Sequence, residues 1–277
     1  MLSEANVNIF AHKIQAKVLD THQRGDAVIG IKSLRTKKSR DELGVFVVEG
    51  EKFVNEIPEG FMVVQYIVSD DYRKPTDILK SRAQVLEVTR TVFNRVADTA
   101  APQGILAVVK KKICSFEDTK DGFMLVCENI NDPGNLGTLI RTAAAAEASC
   151  VVLTHGSVSV WNPKVQRASA GLALRLPIIS DAGIDDIADY TNKHGIPLYA
   201  AHQEGNSLPY ELDLSDKFCL ILGSESHGLS KTARSKAAAL LKLPMSDNVE
   251  SLSVAVAGSI IMYEAMRQKI AISLPEV

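Results

Sequence analysis

The sequence predicts an α/β protein built as two domains, and three observations carry that expectation. In the back half, short runs of Val, Leu, Ile and Cys alternate with polar or glycine-containing segments and one alanine-rich stretch, the rhythm of a mainly parallel sheet. A chain of 277 residues that is 46% apolar exceeds what one core usually organises and suffices for two. Charge is also divided: residues 1–112 hold 18 Lys and Arg against 14 Asp and Glu, whereas residues 113–277 hold 13 against 19, inside a total of only -2. We expect a first domain over 1–113, a linker over 114–120 and a second domain over 121–277.

The elements follow in order. A weak helix is expected over 8–21, then a buried strand, Val45-Phe46-Val47-Val48, ending at Glu49-Gly50. The Pro58-Glu59-Gly60 turn leads into a strand over 62–68, and two further strands are expected over 83–88 and 104–109, with helices filling the spaces. Lys110-Lys111-Lys112 closes this mixed unit, and the polar stretch from Ser115 to Gly122 reads as a linker. Behind it come a strand over 123–128, a helix from about 136 to 148 and a strand over 150–153. Strands over 197–201 and 218–222 run into polar or glycine-rich residues, the way strands in this fold class hand over to ligand-binding loops. A last strand at 239–243 precedes Pro244, and an apolar helix is expected over 251–268.

Several classes are disfavoured at once. Four cysteines without paired spacing, 17 glycines without a repeat and the lack of any apolar run near 18 residues argue against a disulfide scaffold, a collagen-like rod and a membrane span. The first 20 residues carry Glu4, His12, Lys13 and Lys17 instead of an apolar signal core, so a cytoplasmic protein is expected. No metal centre is expected. The near-neutral total gives no sign of a nucleic-acid partner, but Arg35-Thr36-Lys37-Lys38-Ser39-Arg40 puts four cations in six residues. That run is either a phosphate-facing patch or a solvated loop.

Three later segments hold the candidate chemistry. After Glu128 comes Asn129-Ile130-Asn131-Asp132-Pro133-Gly134-Asn135-Leu136-Gly137, which opens the alanine-rich helix containing Arg141. Asn135 is either a helix cap or a functional amide, and Arg141, among small and apolar residues, reaches an anionic partner or snorkels to water. The second segment, Leu222-Gly223-Ser224-Glu225-Ser226-His227-Gly228-Leu229-Ser230, lacks the Gly-x-Gly-x-x-Gly dinucleotide fingerprint. Its Glu225 either grips a ligand near exposed amides or belongs to a plain turn, and His227 is either a catalytic group or a loop histidine. In the third, Leu243-Pro244-Met245 leads to Ser251-Leu252-Ser253, and small residues at 251, 253, 255, 257 and 258 leave room for a ligand or for tight helix packing.

Together these segments resemble the three motifs of the SpoU (TrmH-like) RNA 2'-O-ribose methyltransferases, within the SPOUT class of S-adenosylmethionine-dependent enzymes. Asn162-Pro163-Lys164-Val165-Gln166-Arg167-Ala168-Ser169-Ala170-Gly171 with Leu176-Pro177 resembles the segment between motifs. Gly44 to Gly50 and Pro102-Gln103-Gly104-Ile105-Leu106-Ala107-Val108 resemble the family's substrate-binding front domain, so the likeness spans roughly residues 30–270. It implies an L30e-like front domain and a C-terminal domain with a mainly parallel sheet tied in a deep trefoil knot, which topology rules alone would not suggest. It further implies a homodimer packed through the C-terminal domains and an RNA acceptor, with ribosomal RNA the expected substrate. A transfer RNA ribose and a non-catalytic RNA-binding role are the alternatives.

The resemblance also implies residue roles. Ala201, Gly223, Leu243, Met245 and Leu252 would hold the cofactor; Asn135, Arg141, Glu225, Ser251 and Ser253 would form the catalytic set. In the family the arginine matching Arg141 is assigned to deprotonating the ribose hydroxyl. A guanidinium is a poor base, so orienting ribose or phosphate and stabilising oxyanion charge suits it better, with the base role open. Glu225 would orient Arg141 or the substrate side of the pocket, and Ser251 would support the ribose or its loop. Arg35, Lys37, Lys38 and Arg40 would contact RNA, as would Lys164 and Arg167 unless these meet the partner subunit. Two positions depart from the family pattern: Ser226 stands where Gly follows the Glu, and Ser253 replaces the Asn of Ser-Leu-Asn. The second exchange removes an amide's two donors and leaves one shorter hydroxyl, implying altered substrate positioning, slower chemistry or a binding role alone.

Overall fold

The computed structural model describes residues 30–74, 83–119 and 122–273. The helix expected over 8–21 lies outside them. Two compact units are present: one runs to Lys112 and takes in Trp161–Pro163, the other comprises Ile113–Val160 and the chain from Lys164 onward.

The first unit is a four-stranded mixed sheet. Its strands are β1 (Val45–Glu49), β2 (Val63–Ser69), β3 (Gln84–Val88) and β4 (Ile105–Lys110), in the order β1-β4-β2-β3. β4 lies antiparallel to both β1 and β2, and β2 is parallel to β3. Among the described residues its helices include α1 (Lys37–Leu43), α2 (Glu51–Asn55) and α3 (Arg90–Val96). The Thr36 hydroxyl caps α1 by accepting from Ser39 N, and Gly44, at φ 64°, ends it in the left-handed region that glycine enters at least cost. Ile31, Leu34, Phe93 and Val96 pack on Val45, Ile67, Leu106 and Val108 to form the core. The cationic run at 35–40 therefore spans a turn and a capped helix instead of a loop, because Thr-x-x-Ser supplies a helix start.

The second unit has a six-stranded, wholly parallel sheet, as the sequence pattern predicts for this half. Its strands are β5 (Met124–Cys127), β6 (Cys150–Thr154), β7 (Ile178–Ala182), β8 (Leu198–Ala201), β9 (Cys219–Leu222) and β10 (Ala239–Leu241), ordered β10-β8-β9-β5-β6-β7. The helices are α4 (Pro133–Ala145), α5 (Pro163–Ala168), α6 (Ile184–Lys193), α7 (Lys231–Lys236) and α8 (Val254–Ser273). From β5 the chain proceeds through β6 to β7 at one edge, whereas β9 leads to β10 at the other. The direction reverses between β5 and β9, and open parallel sheets form their ligand crevice at such a point, beyond the carboxyl ends of the strands.

Strand β7 has no counterpart among the sequence expectations. Exposed Ser180 and Asp181 break its apolar run, and a register shift at Leu153/Thr154 accommodates Asp181 at φ 64°. As an edge strand it needs no continuous apolar run. Helix α8 begins at Val254, not near 251, and α4 begins at Pro133, not near 136.

Candidate active site

Helix α4 starts early because Asp132, not Asn135, is its cap: the Asp132 carboxylate accepts from Asn135 N at 2.7 Å and Pro133 fills the first helical position. That releases the Asn135 side chain, whose Nδ2 donates to Glu225 Oε1 across 90 residues of sequence. The contact ties the loop after β5 to the loop after β9, at the reversal of strand order.

The Glu225 loop is shaped by its backbone. Gly228 N donates to Ser224 O at 2.9 Å and His227 N to Ser224 Oγ at 3.2 Å, so residues 225–227 form the tip of a tight turn. Gly228 sits at φ 63°, and a Cβ on Gly223 would come 2.4 Å from the Gly228 carbonyl carbon and 2.5 Å from Leu229 N. These obstructing atoms are backbone, so no side-chain motion relieves the clash. Beneath the loop, the buried Glu128 carboxylate accepts from Ser230 N at 2.9 Å, and Ser230 Oγ caps α7.

Around this loop lies a cavity of about 440 Å³. Every residue expected to hold the cofactor, Ala201, Gly223, Leu243, Met245 and Leu252, lines it, together with Glu225, Ser251 and Ser253 of the expected catalytic set. Leu222, Leu229, Leu241 and Ile261 add apolar wall, and His202, Gln203 and Ser224 add polar groups that the motifs did not point to. The polar residues just beyond β8 were the available signal for His202 and Gln203. A pocket of this size, with an apolar wall and several polar groups, suits a nucleoside with a charged tail, and Gly223 lets the turn that shapes it close on itself. Ser253 stands just ahead of α8, where its Oγ accepts from Val256 N at 3.3 Å and its carbonyl from Ala257 N at 2.9 Å. Its hydroxyl is thus a helix cap as well as part of the pocket rim.

Arg141 is not part of the cavity lining. It is exposed on α4 and makes no hydrogen bond or ion pair among the described residues, so Glu225 engages Asn135 and not Arg141 within one chain. Six residues of helix carry it about 9 Å along the axis from Asn135 and turn it to another face.

The cations expected at RNA divide into distinct environments. Lys37 and Lys38 are exposed on α1, and Lys38 lies only 4.0 Å from Glu42. Arg35 is partly tied down, its Nη2 donating to Ala97 O and its Nε 3.6 Å from Asp98. Arg40, expected among the RNA contacts, is buried instead. It is 2% exposed, its Nη1 donates to Leu34 O at 2.9 Å and Arg35 O at 2.8 Å, and burial pushes its pKa down. The side chain closes the turn ahead of α1 from inside and has no surface to offer a phosphate. On α5, Lys164 is exposed and Arg167 half-buried. Among the described residues there is no group of three or more His, Cys, Asp or Glu placed to hold a metal ion, and no helix is long and apolar enough to cross a membrane.

Residues 122–263, which carry the parallel sheet and the cavity, match the SpoU rRNA methylase family, and residues 26–107 match an MRM3-like substrate-binding domain. The chain belongs to the SpoU rRNA methylase family. Among its relatives, the 23S rRNA (guanosine(2553)-2'-O)-methyltransferase RlmP of Bacillus subtilis is 33% identical over 237 residues, covering 84% of this chain and 92% of that protein. The 23S rRNA (guanosine-2'-O-)-methyltransferase RlmB of Xylella fastidiosa is 31% identical over 195 residues, 67% of this chain and 78% of its own. An AdoMet-bound rRNA methyltransferase from Sinorhizobium meliloti superposes with a TM-score of 0.81 at 27% identity, over 89% of this chain and 96% of the other. The SpoU methyltransferase AviRb of Streptomyces viridochromogenes shares the fold, with a TM-score of 0.82 at 22% identity over 88% of this chain and 98% of that one.

Proposed function

We propose that this protein transfers a methyl group from S-adenosylmethionine to a ribose 2'-oxygen of ribosomal RNA. The observation that carries the reading is the cavity at the strand-order reversal, where all five expected cofactor positions meet Glu225, Ser251 and Ser253. The cofactor, when bound, supplies a methyl group on a sulfonium, an electrophile that needs little activation. The chain's own contribution is placement: the closed turn that Gly223 permits and the apolar wall of Leu222, Leu229 and Ile261 shape the pocket, while Asn135 holds the Glu225 carboxylate at the rim. A negative group there favours a cationic ligand and orients the ribose hydroxyls. In the first unit, exposed Lys37 and Lys38 are the cations available for phosphate contacts, and the match to a substrate-binding domain supports that use.

Assembly as a homodimer through the C-terminal unit is part of this reading. Val256, Ile260 and Tyr263 lie 47%, 45% and 53% exposed at helical spacing on α8. Helix α8 packs on α4, where the Ser259 and Thr142 hydroxyls share a 3.0 Å hydrogen bond, and Arg141 directly precedes Thr142. Pairing of such surfaces would place Arg141 against the partner subunit and give it a role at a shared site. The trefoil thread belongs to the same proposal. Asn206 N and Ser207 N donate to Leu240 O, Lys242 N donates to Ser207 O, and a Cβ on Gly205 would meet Leu240 O at 2.5 Å. The segment leading to Leu243 runs hard against that loop, as a threaded chain must.

Two measurements test the function: calorimetric titration with S-adenosylmethionine, and transfer of labelled methyl to ribosomal RNA with the product mapped by 2'-O-methyl-sensitive cleavage. Micromolar binding and one dominant modified ribose are expected. Binding to RNA with no cofactor affinity would replace the reading with a non-catalytic RNA-binding role, and label in transfer RNA alone would replace the substrate.

A further inference from the structure

His202, the first residue beyond β8, lines the cavity and has no part in the function proposed for it. Its main chain is occupied: His202 N donates to Leu241 O at 2.8 Å, and Gly205 N donates to His202 O at 3.0 Å, closing a turn against β10. Gly205 seals that turn, since a Cβ there would meet Leu240 O at 2.5 Å. What His202 has left for the cavity is its ring. Glu204 N donates to His202 Nδ1 at 3.2 Å. A backbone amide only donates, so Nδ1 is the acceptor in this contact and the neutral ring carries its proton on Nε2. Nε2 makes no hydrogen bond among the described residues, and its N–H remains to meet a ligand.

The rest of the lining selects the ligand group. Among the described residues that line the cavity, His202 and Glu225 alone have acidic or basic side chains, and neither Lys nor Arg is present. Glu225, held by Asn135, attracts the cationic part of a ligand and repels an anion. A methionyl tail carries an ammonium and a carboxylate, so the carboxylate is better placed on the β8 side of the cavity, one strand over from Glu225. With no permanent cation in the lining, that group must be met by neutral donors. Such bonds gain strength from the ligand's own charge. We propose that His202 binds the carboxylate of the cofactor's methionyl tail through Nε2–H, an inference that rests on the methyltransferase reading. The turn over 202–205 holds the ring in place before the ligand arrives, which lowers the entropy that binding must spend.

The test titrates the full-length protein calorimetrically with three ligands: S-adenosylmethionine, its decarboxylated analogue, and 5'-methylthioadenosine, which lacks the whole tail. Wild type is compared with His202→Phe and His202→Ala, which remove the donor, and with His202→Gln, which keeps an N–H. Both donor-free variants should raise the Kd for S-adenosylmethionine about 10-fold or more, the lower end for a hydrogen bond to a charged group. Their Kd values for the two ligands without a carboxylate should stay within about twofold of wild type, which also shows that the variants are folded. His202→Gln should restore S-adenosylmethionine binding to within about threefold. An unchanged Kd for S-adenosylmethionine in the donor-free variants, or an equal loss for all three ligands, overturns the assignment while leaving the enzyme reading intact. A loss in His202→Gln as large as in His202→Ala overturns it as well. Wild type that binds none of the three overturns the methyltransferase reading itself.

Discussion

Asn135 and Glu225 are one contact, and its consequences belong to the residue scale. Because Asn135 reaches the cavity only through Glu225, Asn135→Ala should lower kcat at least 10-fold and leave S-adenosylmethionine affinity within twofold, checked by steady-state kinetics beside calorimetry. Gly223→Ala should do the reverse. Its Cβ meets backbone atoms of Gly228 and Leu229, so the turn must open and the cofactor Kd should rise at least 10-fold, about 1.4 kcal/mol. Residue types and spacing made Asn135 and Glu225 visible in the sequence, since each stands in a polar, glycine-containing segment that follows an apolar strand. Their pairing was not visible. Nor was the fate of Arg40, which shares the composition of its neighbours and differs only in pointing inward from α1.

At the scale of elements, the site depends on how closely α8 approaches the sheet. A Cβ on Gly258 would lie 2.4 Å from Leu222 Cδ1 and 2.7 Å from Leu139 Cδ2, so this glycine is where α8, β9 and α4 converge. Gly258→Val should destabilise the fold by about 1–3 kcal/mol, the usual cost of overpacking, with a lower midpoint in denaturant at unchanged slope. Leu222 also lines the cavity, so cofactor affinity should fall with it. The helices and strands of this unit were mostly legible because buried parallel strands read as apolar runs between punctuating glycines and prolines. Strand β7 was not, since an edge strand satisfies its one neighbour without continuous apolar residues, and the start of α4 was misplaced because Asp132 is a better cap than Asn135 in the position each occupies.

The whole molecule adds the question of what covers α8. If the Val256, Ile260 and Tyr263 stripe is the subunit contact, Ile260→Glu with Tyr263→Glu should halve the molar mass in sedimentation equilibrium and cut methyl transfer at least 10-fold. Those substitutions lie on exposed helix, so the thermal midpoint of the monomer should shift only modestly. A dimeric double variant would remove this face from consideration.

The sequence by itself determined the two-domain α/β plan and the three loops that build the cavity, because hydrophobic periodicity and glycine placement are local properties of the chain, while the kind of ligand came from the likeness of those loops to a family's motifs. Only the tertiary structure decided which polar side chains share a site: that Glu225 takes Asn135 and not Arg141, that Ser226 meets His227, that Ser253 caps α8 and that Arg40 is buried. The physical reason is that spacing sets where a residue falls on its own element. Which partner it meets is set by the order of strands in the sheet and by packing at contacts as close as those of Gly223 and Gly258.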